Sequence, residues 1–119
     1  MNIKVRDNLP QSNIVVSVED VERAKVNNRF LLTGAVPQGF PDIGGKKADA
    51  DKYIVFVEYV SVGLDNTFGF STWDNATALI PATIENILDV THSPIRFDGG
   101  FRIITGAIII CKGFYILKN

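Results

Sequence analysis

At 119 residues, with 46% hydrophobic and 21% charged side chains, the chain has the size and composition of a single globular domain. Twelve Lys and Arg oppose thirteen Asp and Glu for a net charge of −1. The signs interleave, so the clustered cations that neutralise phosphates are missing and no nucleic-acid partner is expected. One cysteine, Cys111, excludes an internal disulfide, and no apolar run approaches the roughly 20 residues of a membrane-spanning helix.

Residues 1–9 alternate charged with apolar side chains, unlike a secretory signal, and point to a cytoplasmic or virion-associated protein. The run Ile14-Val15-Val16-Ser17-Val18 is β-branched and reads as a strand. Ser17 also opens Ser-Val-Glu-Asp, a helix-cap pattern with acidic residues in the first turn, which would place Val18, Val21 and Lys25 on one helical face. A short helix ending near Asn27-Asn28 and a strand with a solvated hairpin are both open readings of this stretch.

Arg29 to Thr33 reads as a strand closed by Gly34. From Val36 to Lys52, Pro37, Gly39, Pro41, Gly44 and Gly45 alternate with charged residues, which predicts a long Gly/Pro-rich loop at about residues 36–52. Tyr53 to Val62 is the clearest strand. Asp65-Asn66 suits a tight hairpin into 67–72. Pro81 with Ile84, Ile87 and Leu88 has the spacing of a short helix over about 81–89. Residues 97–101 suggest a hairpin turn into a strand over 101–111, and Lys112-Gly113 a last reversal before 114–117. The whole reads as a mainly β domain of six to eight strands, a β-sandwich or partly open barrel, with one or two short helices.

Two of these strands lack the alternation of a strand that faces water on one side. Over 53–62 one face carries Tyr53, Val55, Val57 and Tyr59, and the other Ile54, Phe56, Glu58, Val60 and Val62. Over 101–111 both faces are apolar between Arg102 and Lys112. At roughly 25 cal/mol per Å², leaving such faces in water would forfeit an amount comparable to a domain's net stability. Either a helix or the long loop covers them, the helix near residue 84 being one candidate, or another subunit does.

Residues with chemical potential are few. His92, the only histidine, adjoins Ser93 with Asp89 and Asp98 nearby, but no Gly-x-Ser-x-Gly elbow accompanies them and no catalytic residue is assigned. Gly44-Gly45-Lys46-Lys47 lacks the rest of a phosphate-loop pattern. Asp42, Asp49 and Asp51 lack a calcium-loop frame, so no metal or cofactor is expected. Phe40, Phe70 and Trp73 lie in or beside predicted loops, where aromatics serve either as a binding surface or as caps on a β core. The expectation that follows is a non-enzymatic structural or assembly protein. It would be a homo-oligomeric β subunit docking onto a larger protein assembly such as a phage or virus particle. The alternatives are a monomeric module binding a peptide, glycan or small ligand, and an enzyme with a site between subunits.

Overall fold

The computed structural model describes residues 14–34, 39–41, 46–62, 67–73, 77–81, 87–105 and 108–118, with the backbone alone for 67–70, 77–81, 104 and 105. Within them the chain forms α1 (Val18–Asn27), β1 (Arg29–Thr33), β2 (Gly39–Phe40), α2 (Lys47–Ala50), β3 (Tyr53–Val62), β4 (Thr67–Ser71), β5 (Thr77–Pro81), β6 (Ile87–Asp89), β7 (Ile95–Asp98), β8 (Phe101–Thr105) and β9 (Ile108–Leu117). Seven of these strands have four residues or more; β2 and β6 are short pieces. The fold is mainly β, as the sequence leads one to expect.

The strands form two antiparallel sheets. The first has the order β1-β9-β3, with β6 and β7 both paired to the far side of β3; the second has the order β2-β8-β4-β5. Their facing sides share one hydrophobic cluster. Val55, Val57, Val60, Val62, Leu88, Ile95, Phe97, Ile108 and Cys111 come from the first sheet, and Phe101 and Ile103 from the second. Phe40 closes one end of the cluster, with its ring 4.9 Å from those of Phe30 and Tyr115 and 5.2 Å from that of Tyr53.

Of the two readings open for residues 14–28 the helix holds and the strand does not, and several other local expectations give way to tertiary pairing. Residues 14–17 form no strand; instead Ser17 caps α1, its Oγ accepting from the Asp20 N–H at 3.1 Å. The stretch 36–52 is not all loop, since it contains β2 and α2. The helix expected over about 81–89 is replaced at both ends by strand: Pro81 pairs with Thr67 at the end of β5, and Ile87, Leu88 and Asp89 pair with β3. Proline is tolerated there because β5 is an edge strand. Residues 82–86, Ile84 among them, lie outside the described residues.

The run 101–111 is two strands in two sheets, β8 and β9, and the turn at Gly99-Gly100 joins β7 of one sheet to β8 of the other rather than forming a hairpin. Both glycines have positive φ, 96° and 80°, which L-residues rarely adopt. Likewise β3 and β4 belong to different sheets, so the connection through Asp65-Asn66 is no hairpin; those two residues lie outside the described residues. No reversal occurs at Lys112-Gly113, because β9 runs straight through it. Gly113 instead permits a close approach: a Cβ there would collide with the Phe56 carbonyl and lie 3.1 Å from the Phe30 ring.

Candidate functional site

The apolar strand faces are the feature from which function was read, and the structure shows how they are disposed. In β3 the register advances two residues, Val57 to Tyr59, while β9 advances one, Gly113 to Lys112. Glu58 is therefore the extra residue of a β-bulge, and it changes which side each later residue faces. Val55 and Val57 before it, and Val60 and Val62 after it, all enter the same core. A second shift, where β9 passes from Ile110 to Ile108 opposite Ser61 and Val62, sets Ile109 out of phase and leaves it 53% exposed. Much of the two-sided character of β3 is thus a one-sided pattern broken by a bulge.

The outer face that remains is laid out in cross-strand rows. One row runs Arg29, Phe114, Phe56, Arg96; the next runs Leu31, Lys112, Tyr59, Asp89; the next runs Thr33, Ile110, Ser61, Ile87. Helix α1 packs against β9 and β1 over the first of these. Ala24 of α1 is buried, the Lys25 ammonium lies 5.9 Å from the centre of the Phe114 ring, and Phe114 stacks on Phe56 at 4.8 Å. The Arg29 guanidinium donates to the buried Glu58 carboxylate at 2.8 Å, so the bulge residue keeps its charge partnered. Ahead of α1 the lead-in crosses to β7, where the Arg96 guanidinium donates to the Ile14 carbonyl at 2.5 Å. The element covering this row is therefore the helix α1.

Cover ends at the next row. Leu31 is 63% exposed; Lys112 and Asp89 are exposed, Tyr59, Ile110 and Ile87 half-buried. The Lys112 ammonium sits 5.1 Å from the centre of the Tyr59 ring. Asp89 accepts from the Thr91 hydroxyl at 2.7 Å and from the Thr91 N–H at 3.2 Å. These bonds, hydroxyl first, hold its carboxyl below the ordinary value of 3.8; the charges of His92 and Lys112 act the same way, against a small desolvation effect.

The residues with chemical potential are placed as follows. His92 is exposed at the tip of the Thr91–Pro94 excursion between β6 and β7, and the acids near it in sequence are engaged by other groups: Asp89 by Thr91, Asp98 by the Arg96 guanidinium at 2.8 Å. Cys111 faces the core, where burial pushes its thiol up to about 12. Asp49 and Asp51 pair with Lys52 and Lys47, Asp42 lies outside the described residues, and among the described residues no group of three His, Cys, Asp or Glu could hold a metal ion.

Of the three aromatics singled out, Phe40 belongs to the ring cluster at the end of the core. Phe70 is in β4, its side chain outside the described residues. Trp73 follows β4 with the Arg102 guanidinium 5.3 Å from its ring. Phe40 and Trp73 both press on Gly100, where a Cβ would meet the Phe40 carbonyl and the Trp73 Nε1. The features the sequence hid are Glu58 as a bulge and Leu31 as an uncovered apolar residue. Glu58, the one charge within 53–62, was the available signal for the first.

Compared with known proteins, the chain matches no family model, no curated protein and no solved structure. No helix among the described residues is long and apolar enough to cross a membrane.

Proposed function

We propose that this chain is a non-enzymatic structural subunit that associates with copies of itself and docks onto a larger protein assembly. A phage or virus particle is a setting such a subunit fits. The reading is supported by Leu31, 63% exposed in the row of the outer face beyond the one that α1 covers, with the half-buried Tyr59 in the same row and Ile110 in the next. An apolar group of this kind favours a contact surface over a solvated one. The near-neutral, interleaved charge favours protein partners over polyanions.

The test is absolute mass by size-exclusion chromatography with light scattering across a wide concentration range. Mass above that of the 13.1 kDa monomer, increasing with concentration, is the expected result. A monomer at every concentration up to the millimolar range overturns self-association.

A further inference from the structure

Helix α1 is fastened to the first sheet by little of its surface. Of its ten residues Ala24 is buried and Asp20, Val21 and Lys25 are half-buried; the other six, Val18 and Val26 among them, are exposed. Its ion pairs stay within the helix, Arg23 with Glu19 and Asp20, and Lys25 with Glu22. Its first turn is bonded locally too, the Asp20 N–H to the Ser17 hydroxyl and the Val21 N–H to the Ser17 carbonyl. Among the described residues, what α1 offers the sheet is the buried Ala24 and the Lys25 ammonium near the Phe114 ring. Its three valines are stiff, poor helix formers, and an isolated helix of ten residues is marginal in water. Docking is therefore what keeps α1 helical.

The strand that follows is attached in another way. β1 pairs with β9 in unbroken register over five residues, and Leu32 belongs to the core. Between helix and strand, the Asn28 carbonyl accepts from the Tyr115 N–H at 3.0 Å. The change from loose to firm attachment thus falls at Asn28, the C-cap of α1.

Departure of the helix strands no buried charge. The Arg29–Glu58 pair joins β1 to β3 and does not involve α1. Arg96, which donates to the Ile14 carbonyl ahead of α1, also holds Asp98 at 2.8 Å and keeps it when Ile14 moves off. What opening exposes is chiefly the Phe114 ring and its stacked neighbour Phe56.

We infer that α1 is a lid: hinged at Asn28, it lifts off the Phe56–Phe114 pair while both sheets stay folded. In the open form Phe114 and Phe56 join Leu31 and Tyr59 of the next row, so that one apolar patch crosses β1, β9 and β3. The lid does not rest on self-association, since it belongs to the dilute monomer.

Hydrogen exchange of the full chain, read by mass spectrometry at concentrations where it is monomeric, measures the opening of each element. The hydrogen-bonded amides of α1 should be protected, but about 100-fold less than those of β3 and β9. Their exchange should also change little with urea below the unfolding transition, because lifting a lid exposes little surface.

Ile103→Val separates a lid from general breathing. Ile103 faces the core from the second sheet, while α1 lies on the outer face of the first, so the substitution weakens the sheets and leaves the lid alone. Exchange in β3 and β9 should rise about fivefold, and labelling of the buried Cys111 thiol by a disulfide reagent should rise with it, while α1 exchanges at its wild-type rate. Acceleration of α1 in step with the sheets overturns the lid, as the helix would then come away only when the whole fold opens. Unprotected amides over residues 21–28 overturn it from the other side, since a helix that is never docked closes nothing.

Discussion

The two ends of the first sheet's outer face are built from similar residues and serve opposite ends. At one, α1 shelters stacked Phe114 and Phe56, and the Glu58 carboxylate is matched by Arg29. At the other, one row further along the same strands, Leu31, Lys112 and Asp89 are exposed and Tyr59 is half-buried. Apolar surface on a sheet is therefore not in itself a sign of core or of interface. What decides is whether a second element is long enough to reach it, and the ten residues of α1 reach only part of the face.

Substitution should separate the two ends most clearly at their large apolar residues. Phe114 is 1% exposed, so Phe114→Ala removes a ring and leaves a cavity beneath α1; a loss of about 3–5 kcal/mol is expected in urea unfolding. Leu31→Ala, at 63% exposure, should stay within about 0.5 kcal/mol of wild type when measured at concentrations where the protein is monomeric. Equal losses at the two positions would mean that the open end is held by the fold after all.

The ion pair at the boundary of the sheltered end should have an intermediate effect. Arg29→Met leaves the Glu58 carboxylate, 7% exposed, without its cation. Breaking a buried pair from one side is costly, but the arginine is itself 53% exposed, so the expected loss is about 1–3 kcal/mol rather than the full cost of a wholly buried pair. Arg29→Met combined with Glu58→Met removes both charges and should recover most of that loss. A double variant as unstable as the single one would show that the bulge requires a glutamate for some other reason.

How much of this was legible from residues alone follows from which contacts are local. The cap at Ser17 and the strands at Arg29–Thr33 and Tyr53–Val62 depend on neighbours in sequence, and they stand where the pattern places them. The division of 101–111 between two sheets does not, because an apolar run carries no mark of which sheet each half joins. The same holds for Ile87-Leu88-Asp89, where pairing with β3 overrides a helical spacing of too few residues to prevail. Parity was the main source of error at the site. A single bulge at Glu58 brings Val60 and Val62, which strict alternation puts on the face opposite Val55 and Val57, into the same core as those two, and only the register with β9 reveals it.

The smallest effect is expected at the open end, from the carboxylate of Asp89. Its folded value lies below 3.8 chiefly because the Thr91 hydroxyl and N–H bond to the ionised form. A depressed carboxyl stabilises the fold above its unfolded value, and that contribution is lost as pH falls through the folded one. In an NMR titration Asp89 should therefore show a midpoint below 3.8. Thr91→Val removes the stronger hydrogen bond and should raise the midpoint, while the remaining N–H keeps it from returning fully. Stability near neutral pH should drop only slightly, since the group is exposed and solvent screens the charges of His92 and Lys112. An unshifted midpoint in Thr91→Val would mean that the Thr91 N–H, rather than the hydroxyl, holds the carboxylate.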